Sequence, residues 1–70
     1  MGVQAGLLGS DEYYQLNGSN PRDFVAALYR DVAGQRPSRR EVEHWVNRLR
    51  RNGGNRQQTA LDFLNWSRGL

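Results

Sequence analysis

The sequence predicts an all-α fold, a compact bundle of about four short helices. Apolar residues recur at spacings of three and four in separate stretches, which places them on one face of a helix. No segment alternates apolar and polar residues over the length of a strand. Glycine, proline, serine and asparagine cluster between the periodic stretches, at 17–19, 34–38 and 52–55, where they break the chain into elements.

The first helix is expected from Asp11 to Leu16. Ser10 caps it, and Asp11 and Glu12 occupy the first turn, where the helix dipole is positive. Asn17-Gly18-Ser19 ends it. The second begins after the capping residue Asn20, with Pro21 at the first helical position, and carries Phe24, Val25, Leu28, Tyr29 and Val32 on one face until Gly34 stops it. Ser38-Arg39-Arg40-Glu41 has the spacing of a capping box, in which the serine hydroxyl and the glutamate carboxylate each accept from the other residue's amide. The helix that follows buries Val42, Trp45, Val46 and Leu49, and gathers Arg48, Arg50 and Arg51 near its negative end. Gly53-Gly54 ends it. Asn55 caps the last helix, Gln58 holds the box position, and Ala60, Leu61, Phe63 and Leu64 form its expected buried side, with Trp66 sealing the end.

Seventy residues suffice for one small domain with an economical core. There is no cysteine, so neither a disulfide framework nor a thiolate metal site is available. No run approaches the roughly 18 apolar residues of a membrane span. Met1-Gly2 reads as an added start, so a signal peptide of a longer parent would lie outside this chain. The charge of +3 comes from ten arginines, with no lysine, against seven acids. Acids are interspersed among the arginines, and the excess reads first as a solubility feature and second as a polyanion site.

Glu41, Glu43 and His44 are the one cluster that suggests acid–base chemistry. Glu43 and His44 are consecutive and point about 100° apart on a helix, and no nucleophile or orienting group lies at a useful spacing. Asp11-Glu12 and Glu41/His44 lack the ligand spacing of a zinc or calcium site. No enzyme activity, metal or cofactor is therefore expected. Phe24, Tyr29, Trp45 and Phe63 read as core. Tyr13, Tyr14 and Trp66 lie toward the ends and are the candidate protein contacts. The alternative is a basic-helix nucleic-acid module, in which Arg39, Arg40, Arg48, Arg50 and Arg51 contact phosphates, against which Glu41 and Glu43 on the same helix weigh. Gly53-Gly54-Asn55 beside Arg56 offers a weaker, unspecific anion site at a helix start.

The string from Leu28 to Gly34, Pro37, Glu41-Val42, Trp45, Leu49, Gly54-Asn55-Arg56 and Ala60 to Leu64 resembles the bacterial domain of unknown function 4214. Ser10-Asp11-Glu12-Tyr13 fits the ending of that family's repeat. Residues 1–16 thus look like the tail of a preceding copy, and 17–70 like one helical module. Ala33 and Gln35 depart from the family's leucine and arginine, and 65–68 lacks its terminal glutamate and tyrosine. The chain is more distantly similar to the helical linker domain of phycobilisomes. The resemblance implies an all-helical module of large, often secreted or surface proteins, with no known activity and no functional residues to transfer. The reading is a non-catalytic protein-interaction or spacer module of a multidomain bacterial protein, its partner another protein or a neighbouring domain. Its compartment is not given by its residues, and secretion or the cell surface is favoured by the resemblance alone.

Overall fold

The computed structural model describes residues 5–69. Its elements are α1 (Ala5–Leu8), α2 (Asp11–Leu16), α3 (Pro21–Leu28), a wide π turn (Tyr29–Ala33), α4 (Arg39–Arg51) and α5 (Arg56–Arg68), with no strand among the described residues.

The helix starts follow the local chemistry. Ser10, Asn20, Ser38 and Asn55 each accept a hydrogen bond from the amide three residues on. At Ser38 the box is complete: Glu41 Oε1 also accepts from the Ser38 amide at 2.9 Å. At Asn55 only half of it forms, because the Gln58 side chain donates to Asp62 Oδ1 at 3.1 Å instead of reaching back. The second expected helix reaches Gly34, but its last turn widens. The Gly34 amide bonds to the Tyr29 carbonyl five residues earlier, and Gly34 closes the turn in the left-handed region at φ 63°.

The core is formed by Leu8, Phe24, Val25, Leu28, Tyr29, Trp45, Val46, Leu49, Ala60 and Phe63. α3 packs on α4, and α1 packs on α5. The expected buried side of α5 needs one correction. Leu61 is 44 % exposed, while Thr59 is fully buried. A turn of about 100° per residue carries Leu61 away from the Ala60–Phe63 line and brings Thr59 toward α4. Thr59 is satisfied there, its hydroxyl donating to the Asn55 carbonyl at 2.9 Å and accepting from Asn52 Nδ2 at 3.0 Å.

α1 is an addition to the expected helices. Leu8 is fully buried, and Gly9 lies so close to the Gln57 backbone that a Cβ would collide with it. The segment expected to be a preceding copy's tail thus supplies a core side chain to the same bundle.

Candidate interaction surface

The three candidate protein contacts do not share one surface. Tyr13 and Tyr14 are half-buried, both against Phe24, with ring centroids at 6.4 Å and 5.8 Å. The Tyr13 hydroxyl donates to Asp31 Oδ2 at 2.6 Å, and Arg30 holds the same carboxylate at 2.8 Å. Burial, then the bond to Asp31, raises the Tyr13 pKa well above the ordinary 10.0. Hydrogen bonding from Arg30, partly opposed by burial, lowers that of Asp31. Tyr14 lies under the Arg56 guanidinium at 4.2 Å, and Arg56 pairs with Asp11. Both tyrosines therefore fasten α2 to the bundle.

Trp66 is different. It is 37 % exposed, and its inner side meets Phe63, Tyr29 and Trp45 with centroids 5.3 to 5.7 Å away. Trp45 Nε1 donates to the Tyr29 hydroxyl at 3.1 Å, so the indole's polar atom is satisfied inside the core. Burial raises the Tyr29 pKa, partly opposed by the Trp45 bond, and the nearby Glu41 carboxylate raises it further. In front of these rings lies a recess of about 270 Å³ lined by Tyr29, Arg40, Glu41, His44, Trp45 and Trp66. The amide of Ser38, accepted by Glu41, keeps the Glu41 carboxyl below its usual pKa. His44 stands edge-on to Trp45 at 5.4 Å.

The sequence offers Glu41 and His44 only as part of a cluster without useful acid–base geometry, and Trp66 only as a candidate contact near the chain's end. The distance in sequence between Glu41 and Trp66 hides their meeting. A wider groove of about 680 Å³ runs between the α2–α3 turn and the connector 34–37, lined by Leu16, Ala26, Arg30 and Pro37 among others. It was not foreseen. Its one sequence signal is Leu16, which falls off the apolar stripe and is 84 % exposed.

The candidate anion contacts are dispersed. Arg39 with Arg50, and Arg40 with Arg51, form two lines on the outer side of α4, the members of each about 16 Å apart along the axis. Glu43 lies between them and pairs with Arg22. Arg48 is turned toward α5 and pairs with Asp62 at 3.1 Å. Burial pushes the Asp62 pKa up, but hydrogen bonds from Asn52, Gln58 and Arg48 outweigh it and lower the value. Among the described residues no three potential metal ligands come together, and no helix is long and apolar enough to cross a membrane.

A single helical core with one aromatic recess at its surface defines a small all-α domain. The chain matches the family described as Domain of unknown function (DUF4214) over residues 4–67. It belongs to that family. The match runs through α1 and α2 as well as the rest of the bundle. No curated protein and no solved structure gives a significant match.

Proposed function

We propose that this domain is a non-catalytic protein-interaction or spacer module of a larger multidomain bacterial protein. The observation that supports the reading is Trp66: a large aromatic ring seated on the core yet 37 % exposed, beside a recess with a polar rim. Amphipathic aromatic rings held rigidly from behind make effective contact anchors, because little side-chain freedom is lost on binding. Glu41, Glu43 and Asp62, which acid–base chemistry would need free, are engaged in a cap or in ion pairs.

Nucleic-acid binding through α4 is the competing reading. The division of its arginines between two ends, with Glu43 between and Arg48 neutralised by Asp62, weakens any continuous phosphate track. Titration with labelled duplex and single-stranded oligonucleotides at two salt concentrations tests the choice. Affinity no tighter than about 10 μM at physiological salt is expected, within the non-specific range. Submicromolar affinity that persists at about 150 mM salt, and that is abolished by Arg40→Glu with Arg51→Glu, would replace the protein-contact reading by the basic-helix one.

A further inference from the structure

The recess in front of Trp66 combines three features that residue spacing alone does not bring together. Its walls are aromatic: the Trp66 ring stands at 64° to both Tyr29 and Trp45, and each centroid lies 5.7 Å from its own. It contains a carboxylate whose place is set by the helix cap, since Glu41 Oε1 accepts from the Ser38 amide at 2.9 Å. It is also small. At about 270 Å³ it falls below the roughly 300–1,000 Å³ of a site for a whole drug-sized molecule, so it fits a head group.

Aromatic faces carry negative electrostatic potential and attract cations, most strongly when tryptophan supplies the face and water is partly excluded. A fixed carboxylate adds charge of the same sign. From these we infer that the recess between the π turn, the first half of α4 and the end of α5 binds an organic cation, a quaternary ammonium or guanidinium head group, against Trp66 and Glu41. A neutral sugar would use the ring faces and the polar groups of Arg40, Glu41 and His44 without drawing on the negative charge of Glu41, which sets the cation apart. Arg40 on the rim opposes the binding. It is exposed, has no carboxylate partner within ion-pair distance among the described residues, and places its own positive charge beside the site. The inference stands apart from the protein-contact reading, since the cation can belong to a solute or to a partner's side chain.

Two probes separate those sources: choline, and the acetylated and amidated peptide Gly-Arg-Gly. Each has a neutral counterpart of matching shape, 3,3-dimethylbutan-1-ol and the citrulline peptide. Binding is read from the indole N–H resonances of Trp66 and Trp45. At least one cation should shift the Trp66 resonance with a Kd of about 1–10 mM, and its neutral counterpart should bind about tenfold more weakly. Tighter binding by the peptide assigns the site to a partner's side chain, and tighter binding by choline to a solute. Glu41→Gln is the decisive variant, because glutamine also serves the box position and leaves the helix start intact while removing the charge. It should weaken the cation about tenfold while the fold is retained, with only a small drop in melting temperature from the lost charge at the helix start. Arg40→Ala should strengthen it. Equal binding of cation and neutral counterpart, no shift with either cation, or undiminished affinity in Glu41→Gln would overturn the inference. A Trp66 shift with cellobiose larger than with either cation would overturn it in favour of a saccharide.

Discussion

The two ends of this small bundle are held by different means. On one side Tyr29, Trp45, Phe63 and Trp66 pack ring against ring, with Tyr29–Phe63 and Trp45–Phe63 centroids both at 4.9 Å. On the other, α1 and α2 have four and six residues, too few to bury a stripe of their own. They are held by one fully buried apolar plug, Leu8, by the half-buried rings of Tyr13 and Tyr14 on Phe24, and by polar clasps: Tyr13 on Asp31, and Arg56 between Asp11 and Tyr14. Where a helix is long enough to repeat its apolar face, packing dominates. Where it is not, a single fully buried residue, two half-buried rings and directional bonds share the fastening. The Arg56 Nε atom, buried without a partner, marks how much of that side is polar.

The largest expected effect lies in the aromatic half. Trp45→Ala should cost about 3–5 kcal/mol, comparable with the whole stability of a module this size, because it leaves a cavity and strips the Tyr29 hydroxyl of its donor. A folded Trp45→Ala protein with unchanged urea midpoint would show that the rings are not what holds the bundle. Leu8→Ala tests the other half. Full burial predicts a loss of about 2–4 kcal/mol by the same measurement, whereas a loss near zero would mean that α1 is an appendage and that the polar clasps suffice.

Ser38→Ala is local to α4 and should cost about 1 kcal/mol, with Trp45 fluorescence preserved. A cost several times larger would tie the cap to the aromatic half more closely than the comparison allows.

The smallest effect belongs to the Tyr13–Asp31 clasp and is read as pH dependence. The folded Tyr13 pKa is raised, so its stabilisation is complete below the ordinary 10.0 and is lost as pH climbs through the folded value. The folded Asp31 pKa is lowered, so its contribution is present above 3.8 and is lost as pH falls through the folded value. Melting temperature should therefore decline at both extremes. Tyr13→Phe should shrink the alkaline decline without removing it, because Tyr29 is raised as well. An alkaline limb unchanged in Tyr13→Phe would place the whole effect in the aromatic half.

Much of the fold is legible in local sequence. The four capping residues, the left-handed closure at Gly34 and the stripe from Val42 to Leu49 involve partners within one or two turns, and near neighbours along the chain are near neighbours in any helix. The candidate site was legible only in pieces. Trp66 was recognised as terminal and Glu41 as a cap, but nothing local states that the end of α5 lies beside the start of α4. Leu61 shows the same limit within a helix. Its apolar character suggested burial, yet the side that α5 buries is set by α1 and α4, which admit Thr59 and leave Leu61 outside.

The sequence by itself determined the fold class, the starts of α2 to α5 and the identity of most core residues, because capping geometry and apolar periodicity are properties of consecutive residues. Tertiary structure alone decided that Leu8 plugs the bundle, that Gly9 lies against Gln57, that the two tyrosines of α2 turn inward, and that Tyr29, Glu41 and Trp66 surround one recess. Each of these depends on contacts between residues far apart in the chain. Such contacts form only when several helices bury their faces together, and the pattern of any one helix carries no record of which neighbour it meets.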